Sequence, residues 1–442
     1  MEFQPEKALY LQPGSHSRSL YDRASAVMPA GNTRHSITLA PYPVYARSGR
    51  GCRVTDVDGE DRVDFLNNFT ALILGHADPA VTLAVQERVA NGTAFTMPTA
   101  ADVELAELIV SRVDYLDEIR FANSGSEAVM MAIKAARAFT GRTKIAKFEG
   151  AYHGIYDWAQ VSEGPTREES GEDDAPLSVA GRGSPPSVAL ETVVLPWNNL
   201  EACRRLIRAN SAELAAVIFD PLPTGIGMIA PASGLLELLR EETLRHGIVL
   251  ISDEVLTFRL GYHGALHKAG ITPDLTCLGK IIGGGFPVGA VGGSRRVMAV
   301  FDHRAPHYVH HGGTFNANPV TMTAGLETMR QMTPGAFARL NALGDYLRDR
   351  LTASVRDLGV PIQVCGKGSL FVGHLSAEPL TDYRSMRGFS RTNPAYAELC
   401  HKMLKRGFLT STRGIFGCLS TPMTEAELDG FVEAVVASLR EL

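Results

Sequence analysis

The stretch 248–285 reads IVLISDEVLTFRLGYHGALHKAGITPDLTCLGKIIGGG and contains two short apolar runs that lead to charged residues. The run Ile248–Ser252 leads to Asp253, and the run Leu275–Leu278 leads to Lys280. Apolar runs of this length are typical of strands that are buried on both faces of a sheet. We therefore predict two buried strands, with Asp253 and Lys280 at or just beyond their carboxyl ends.

The same alternation extends outward over residues 119–293. Short apolar runs predict four further strands, at Ile119–Ala122, Lys144–Phe148, Thr192–Leu195 and Ala215–Phe219. Apolar residues at helical spacing predict helices at Glu127–Phe139, Leu200–Ala209 and Leu235–His246. Strands that alternate with helices predict a mostly parallel sheet covered on both faces. In such sheets, ligands bind at the carboxyl ends of the strands.

The two ends of the chain are organised differently. Towards the N-terminus, the sequence predicts a helix near Leu20–Val27 and a hairpin with Asp58-Gly59 as its turn. Towards the C-terminus, long helices alternate with short strands, as in an α+β domain. We therefore predict three segments, 1–74, 75–328 and 329–442.

Composition narrows the classes of function. The chain has 442 residues, of which 45% are hydrophobic and 21% charged, as in soluble globular proteins. A net charge of −5 gives no reason to expect a nucleic acid or a membrane as a partner. The sequence shows neither a signal peptide nor an apolar stretch that spans a bilayer. Six scattered cysteines without a C-x-x-C pair argue against a zinc site and favour a cytoplasmic location.

The segment from about Ser162 to Ser187 is rich in Gly, Ser, Pro and acidic residues. Such a composition buries too little apolar surface to order itself, so we predict a mobile surface loop. The alternative is a lid over an active site, because long loops in compact domains are often functional.

Lys280 and Asp253 each have a structural and a chemical interpretation. Lys280 is a lone charge in an apolar, glycine-rich window, and it either extends out of the core or acts as a desolvated amine that attacks an aldehyde. Asp253 either caps the next helix or, ionised at the end of a buried strand, pairs with a cation. A protonated pyridine nitrogen is such a cation. Keeping that nitrogen protonated lets pyridoxal 5′-phosphate (PLP) accept electrons from a carbanion.

The segment 121–127, FANSGSE, predicts a strand, a small polar turn and a helix. Backbone N–H groups of Gly125 and Ser126, with the hydroxyls of Ser124 and Ser126, suit an anion at the helix start. Ordinary capping by Ser124 or Ser126 is the alternative, and it is compatible with anion binding.

Two other motifs are weaker. Tyr152-His153-Gly154 follows a predicted strand, where the aromatic ring either stacks on a planar cofactor or belongs to the core. His307, His310 and His311 form a cluster, but it lacks the H-E-x-x-H arrangement and a neighbouring carboxylate or cysteine ligand. We therefore predict no metal site there.

In this order, the motifs resemble those of the class III aminotransferase family of PLP fold type I, especially the subgroup that contains glutamate-1-semialdehyde aminomutase. The resemblance extends from about Leu20 to the end of the chain. It rests on Asp56–Gly59, Ile73–His76, Asn123–Glu127, Phe148–Gly154, Asp253–Arg259, Asp274–Gly285 and Gly313–Pro319. It implies an α/β fold with a mostly parallel seven-stranded sheet in the large domain. It also implies that 1–74 and 329–442 together form a smaller α+β domain.

The resemblance also implies roles for the matching residues. Lys280 would hold PLP as a Schiff base and shuttle protons, and Asp253 would pair with the pyridine nitrogen. Val255 and Tyr152 would pack on opposite faces of the ring. Thr314 would contact the phosphate of the neighbouring subunit, which implies a homodimer with shared active sites. The implied cofactor-binding residues are Ser124, Gly125, Ser126, Tyr152, His153, Asp253, Val255, Lys280 and Thr314. The family usually has Glu-Pro where this chain has Asp220-Pro221, so Asp220 receives no role.

Two arginines bear on the substrate. At the positions matching Arg413 and Ile415, aminomutases have Gln and Glu, whereas this stretch resembles the Ser-Pro-Arg-Gly segment of β-amino-acid aminotransferases. There the arginine grips a substrate carboxylate. Arg34 matches a second carboxylate-binding arginine of the subgroup, and a guanidinium fork suits bidentate pairing. The alternative for each arginine is a solvated surface residue.

The sequence therefore predicts a PLP-dependent aminotransferase that follows a ping-pong mechanism. It would move an amino group between a β-amino acid, or a related carboxylate-bearing amine, and an α-keto acid. Glutamate-1-semialdehyde 2,1-aminomutase and an amino-acid racemase or epimerase are the enzymatic alternatives. A catalytically silent PLP-binding protein is disfavoured, because Lys280 and Asp253 are both present.

Overall fold

The structure is a computed structural model that describes residues 8–390, 394–412 and 414–442. The chain divides into two compact units. The small unit holds the described residues of Met1–Pro79, Arg339–Pro379 and Arg387–Leu442, and the large unit holds Ala80–Ala338 and Leu380–Met386. Within these described ranges, no helix has the length and apolar character that a bilayer span requires. The predicted domain limits at residues 74 and 328 remain predictions.

The strands of the described residues, numbered along the chain, are β1 (Ala46–Arg50), β2 (Arg53–Asp56), β3 (Asp61–Asp64), β4 (Glu118–Ala122), β5 (Lys144–Phe148), β6 (Gly171–Glu172), β7 (Ala175–Pro176), β8 (Thr192–Leu195), β9 (Leu214–Phe219), β10 (Val249–Asp253), β11 (Leu275–Gly279), β12 (Gly289–Gly293), β13 (Ile362–Cys365), β14 (Leu370–Leu375), β15 (Phe408–Leu409) and β16 (Ile415–Cys418). The helices are α1 (His16–Ser25), α2 (Asn67–Thr70), α3 (Pro79–Ala90), α4 (Ala100–Val110), α5 (Gly125–Thr140), α6 (Asp157–Gln160), α7 (Ser187–Leu190), α8 (Leu200–Ala209), α9 (Leu235–His246), α10 (Arg295–Met298), α11 (Pro319–Gln331), α12 (Pro334–Asp357), α13 (Tyr383–Ser390), α14 (Pro394–Lys405) and α15 (Glu425–Leu439). Short 3-10 turns lie at Leu9–Leu11, Pro29–Gly31, His35–Ile37, Thr224–Ile226, Thr257–Leu260, His267–Ala269, Lys280–Gly283 and Ala299–Phe301.

The large unit is built around a seven-stranded sheet with the order β4-β12-β11-β10-β9-β5-β8. Its strands pair in parallel, except that β12 runs antiparallel to β11 and β4. Helix α5 buries one face on the apolar core of this unit, through residues that include Val129, Ala132, Ile133 and Ala136. Their spacing of three or four positions defines one side of a helix. The predicted α/β fold with a mostly parallel seven-stranded sheet is confirmed.

The antiparallel strand β12 was not among the strands that the apolar runs predict. Its sequence is GAVGG, and glycine is depleted in strands. The structure explains the glycines, because a Cβ at Gly289 would lie 1.9 Å from the Ser124 carbonyl oxygen. A Cβ at Gly293 would lie 2.2 Å from the Asp274 carbonyl oxygen. Close backbone approach therefore removes the side chains on which a strand prediction depends.

The small unit is an α+β structure to which both ends of the chain contribute. Strands β2 and β3 form an antiparallel hairpin, and Gly59 in its turn has a φ of 95°. Strand β15 from the C-terminal part pairs in parallel with β3 from the N-terminal part. The rings of Phe65 and Phe431 join the two parts in one core, with their centroids 4.1 Å apart. The predicted small α+β domain made from both ends is confirmed.

The polar segment 162–187 has more internal structure than its composition predicts. It contains the short β6–β7 pair, and the Ser162 hydroxyl donates to the Leu177 carbonyl at 2.8 Å. The Ser162 N–H donates to the Val179 carbonyl, also at 2.8 Å. Backbone and hydroxyl hydrogen bonds therefore order a segment that has few apolar residues to bury. Its role as a lid remains a prediction.

Candidate active site

Asp253 is the last residue of β10, and only 5% of it is exposed. Its Oδ2 atom lies 2.8 Å from Nδ1 of His153, whereas its Oδ1 accepts a hydrogen bond from the Val255 N–H at 3.1 Å. A carboxylate oxygen accepts hydrogen bonds, and Nδ1 of His153 donates to it when that nitrogen carries the ring proton. Nε2 of His153 is buried and has no hydrogen-bond partner among the described residues. The pair is thus a buried carboxylate with an orienting imidazole at a strand end.

Lys280 follows the last residue of the adjacent strand β11. Its backbone φ is 50°, in the left-handed region that residues with a Cβ seldom occupy. Backbone conformations of this kind cost free energy and cluster at functional sites. The side chain is half-buried. The predicted position of Lys280 beyond a strand end is the one that the structure has.

Asp220 follows β9, the neighbour of β10 on its other side, and is 7% exposed. Burial and the negative charge of Asp253 raise the pKa of the Asp220 carboxyl to about 8. The Leu222 N–H and the positive charge of Lys280 oppose this rise in pKa. Because β9, β10 and β11 are parallel, their carboxyl ends share one edge of the sheet. The charges of Asp253 and Lys280 therefore both act on the Asp220 carboxyl at that edge.

The polar turn at the start of α5 has the geometry of an anion site. Ser124 is the N-cap residue, and its Oγ accepts the Glu127 N–H at 3.1 Å. A Cβ on Gly125 would lie 2.8 Å from Cγ1 of Val255, so the turn contacts the residue two positions beyond Asp253. The Ser126 Oγ accepts the Ile155 N–H at 3.2 Å. Capping uses part of the donor set, and the remaining helix N–H groups can bind an anion.

Tyr152 belongs to a loop after β5 that is fixed by buried charged groups. The residue is 47% exposed, so a ligand can reach it. Lys147 is fully buried, and its Nζ donates to the carbonyls of Ala151 (2.9 Å) and Val161 (2.6 Å). Desolvation lowers the pKa of Lys147 to about 7. This amine therefore holds the loop in place next to Tyr152.

A second cation holds the start of the same loop. Arg384 contacts the buried Glu149 carboxylate through two nitrogens, at 2.8 and 3.1 Å. The same guanidinium donates to the Ser170 carbonyl and to Asp173. Neither Lys147 nor this arginine was predicted from the sequence. A lysine inside an apolar strand was the available signal for Lys147, whereas Arg384 lies 235 positions from Glu149.

Thr314 lies on an exposed loop of the large unit. The loop is attached near the anion turn, because Asn123 Nδ2 donates to Asn316 Oδ1 at 2.8 Å. Arg120 Nε donates to His311 Nδ1 at 3.1 Å. Within the described ranges, no group of three or more His, Cys, Asp or Glu side chains is arranged to hold a metal ion. The contact of Thr314 with a second subunit remains a prediction.

Of the two predicted substrate arginines, the structure describes Arg34. Arg413 lies outside the described residues. Arg34 is an exposed residue of the small unit, and its Nη1 donates to Oδ1 of Asn68 at 2.9 Å. Its backbone N–H donates to Oδ1 of Asn32, also at 2.9 Å. Asn68 was not predicted from the sequence.

The residues of the large unit fit PLP. Asp253 is a buried acceptor suited to a protonated ring nitrogen, and Lys280 supplies an amine two strand ends away from Asp220 across the same edge. The unpaired buried Nε2 of His153 leaves a polar atom for a ligand. The loop after β5 packs closely on the anion turn, since a Cβ on Gly154 would lie 2.5 Å from the Ser126 hydroxyl oxygen.

Comparisons with known proteins show which family this chain resembles. The class III aminotransferase family model matches residues 37–436. A glutamate-1-semialdehyde 2,1-aminomutase of Methanothermobacter thermautotrophicus is 38% identical over 427 residues, 96% of this chain and 98% of that protein. An omega-transaminase of Sphaerobacter thermophilus has a solved structure with a TM-score of 0.94 and 50% identity, over 98% of this chain and 99% of its own.

A third similar protein is a β-phenylalanine aminotransferase from Variovorax paradoxus. Its structure has a TM-score of 0.86 and 34% identity, with 96% of this chain and 94% of that chain covered. The family match covers most of the chain and includes the strand ends that carry Asp253 and Lys280. The chain is therefore a member of the class III aminotransferase family, a family of PLP-dependent enzymes with fold type I.

Proposed function

We propose that this enzyme transfers an amino group between a β-amino acid, or a related carboxylate-bearing amine, and an α-keto acid. The observation that carries this proposal is the state of Arg34. Its guanidinium is exposed and contacts a neutral amide, and it forms no ion pair with any residue in the described part of the chain. A cation in that state is suited to a ligand carboxylate. The similarity to an omega-transaminase and to a β-phenylalanine aminotransferase supports the same reaction class.

The strand-end residues divide the work on the amino group. When bound, PLP supplies an electron sink for the carbanion that is left when a proton leaves the carbon next to the amine. Asp253 would place a negative charge against the ring nitrogen and keep it protonated, and His153 fixes the carboxylate by its hydrogen bond. Lys280 Nζ would hold the cofactor covalently in the resting enzyme. As a free amine, it would take the proton from the carbon that bears the substrate amine and deliver it to the cofactor instead of returning it to the same carbon.

The remaining predicted residues bind and orient. Ser124, Gly125 and Ser126 would hold the phosphate at the N-terminus of α5, where the helix dipole favours negative charge. Val255 and Tyr152 would pack against the two faces of the ring. Thr314 would add a phosphate contact to the site of a second subunit, so the working enzyme would be a homodimer with shared sites. The exposure of Thr314 in the single chain supports this assignment.

A half-reaction screen tests the proposed substrate. The PLP-loaded enzyme is mixed in turn with α-, β- and ω-amino acids, without a keto acid, and the cofactor absorbance is followed. We expect β-amino acids to convert the cofactor to its amino form and α-keto acids to restore it. Failure of every β-amino acid, together with turnover of glutamate-1-semialdehyde, would contradict the proposal.

The second candidate is glutamate-1-semialdehyde 2,1-aminomutase, which the 38% identical relative favours. A mutase moves the amino group within one molecule and needs no keto-acid acceptor. Incubation of glutamate-1-semialdehyde alone, with detection of 5-aminolevulinate, therefore separates the two reactions. Multiple turnovers without added keto acid would support the mutase.

A further inference from the structure

The segment labelled α2, Asn67–Thr70, is a left-handed turn of the small unit. Its four residues have φ values of 46°, 48°, 53° and 77°, and none of them is glycine. The left-handed conformation is energetically unfavourable for each residue with a Cβ. Asn tolerates this region better than most residues, whereas Phe and Thr do not. Four such residues in a row require support from their surroundings.

Buried hydrogen bonds provide that support. Asp64 Oδ1 accepts the N–H groups of Leu66 (2.8 Å) and Asn67 (2.9 Å). The Asn67 side chain is fully buried and donates from Nδ2 to the Cys418 carbonyl at 3.0 Å. His76 Nε2 lies 2.8 Å from the other oxygen of Asp64 and fixes that carboxylate. The turn is thus anchored at its first residue in the core of the small unit.

This anchored turn presents Asn68 on the surface. Asn68 is exposed, and its Oδ1 accepts the hydrogen bond from Nη1 of Arg34 at 2.9 Å. Asn32 holds the backbone of Arg34, so the two asparagines fix different ends of the same residue. A long arginine side chain loses considerable rotamer freedom when it is held. An amide can restrain the guanidinium without neutralising it, which a carboxylate at the same position would do.

We propose that Asn68 is a positioning residue that orients the Arg34 guanidinium, fully charged, for the substrate carboxylate. The inference rests on the proposed function, because it assigns Arg34 to carboxylate binding. Strained backbone conformations cluster at functional sites, and this one places an uncharged acceptor next to a cation. The strained turn is therefore a specificity element for carboxylate-bearing substrates.

Two substitutions keep the left-handed backbone and change only the acceptor. Asn68→Gly removes the acceptor, and Asn68→Asp replaces it with a negative charge; Gly and Asp both tolerate this conformation. The PLP-loaded variants are titrated with propanoate and with its neutral analogue propanamide, followed by the cofactor absorbance. Steady-state kcat and KM are measured with the β-amino acid that the half-reaction screen identifies. Arg34→Ala is the reference for complete loss of the cation.

We expect Arg34→Ala to raise the propanoate Kd by about tenfold or more, as for a lost charge-assisted hydrogen bond. Asn68→Asp should raise it by about fivefold, the size of a competing exposed ion pair, and Asn68→Gly by about threefold. KM should follow Kd, with kcat within about twofold and propanamide binding unchanged.

The two hypotheses fail separately. If Arg34→Ala leaves propanoate binding unchanged, the assignment of Arg34 in the proposed function is wrong. If Arg34→Ala weakens propanoate binding but Asn68→Asp and Asn68→Gly do not, Asn68 has no positioning role. A loss of propanamide binding equal to the loss of propanoate binding would show that the Asn68 variants act on general structure and would also overturn the inference.

Discussion

The strand ends of the large unit and the Arg34–Asn68 contact of the small unit hold charged side chains in opposite ways. Asp253 is fixed by the backbone of a buried parallel sheet and by an imidazole that is 1% exposed. Arg34 is exposed and is oriented by single hydrogen bonds from its side chain and backbone. The carboxylate proposed to act on the cofactor thus has almost no freedom. Groups proposed to act on the substrate keep enough exposure to admit different carboxylates.

We expect the largest loss of activity for a substitution of Lys280. Lys280→Ala should lower kcat by at least about 10³-fold, because nucleophile and proton shuttle are lost together. Borohydride treatment followed by peptide mass spectrometry should then find no reduced PLP adduct in the variant. Lys134→Ala, which removes an exposed lysine of α5, is the control and should keep both the activity and the adduct. An adduct on Lys280→Ala protein would contradict the site assignment.

The residues at the strand ends could be predicted from the sequence because each of them follows an apolar run that predicts a strand. Asp253, Lys280 and the turn at Ser124 come at the ends of strands, and parallel strands bring such residues to one edge. The fold was accessible for the same reason, apart from β12, whose glycines carry no apolar pattern.

The contacts that depend on distant or unusual backbone were not accessible. The two asparagines of Asn-Asn-Phe-Thr tolerate a left-handed backbone, but Phe and Thr disfavour it, so the sequence does not predict a left-handed turn at 67–70. The contact of Arg384 with Glu149 joins positions 235 residues apart and exists only in the folded chain. A local pattern predicts which residue stands at the end of a strand, but it does not predict which remote side chain that residue contacts.

We also expect burial to determine how much an ion pair of the loop after β5 contributes to the free energy of unfolding. Arg384 contacts two acids, Glu149, whose side chain is 2% exposed, and Asp173, whose side chain is 95% exposed. Glu149→Gln should lower the free energy of unfolding by about 2–3 kcal/mol, because it leaves a largely buried guanidinium without its buried charge partner. Urea unfolding of the PLP-loaded protein measures this.

The matched control uses the same arginine. Asp173→Asn should leave the urea midpoint unchanged, because an exposed ion pair contributes little. Equal effects of the two substitutions would mean that burial does not distinguish the contacts of Arg384, and the contrast between the two kinds of site would lose its physical basis.

The raised pKa of the buried Asp220 carboxyl makes the free energy of unfolding depend on pH. Because its pKa is raised to about 8, the folded protein retains a proton that the unfolded chain loses near the usual pKa of an aspartic acid. The stability from this proton is complete below that usual value and is lost as the pH rises towards 8. In protein freed of PLP, the loss should approach about 1.4 kcal/mol for each pH unit. Urea unfolding at pH 6 and pH 7 should show it, and Asp220→Asn should remove it; an unchanged slope in the variant would contradict this account.

The smallest predicted effect lies on the exposed side of the comparison. Arg34→Lys keeps the positive charge but loses the planar fork and its fit to Asn68 and a carboxylate at the same time. We expect KM for the β-amino acid to rise by about threefold, with kcat within about twofold. Steady-state kinetics at two ionic strengths measures both constants, and added salt should weaken the lysine variant's substrate binding more, because a point charge without bidentate hydrogen bonds depends on long-range attraction. A fall in kcat instead of a rise in KM would place Arg34 with the groups proposed to act on the cofactor. The proposed difference between buried groups that act on the cofactor and exposed groups that bind the substrate would then be wrong.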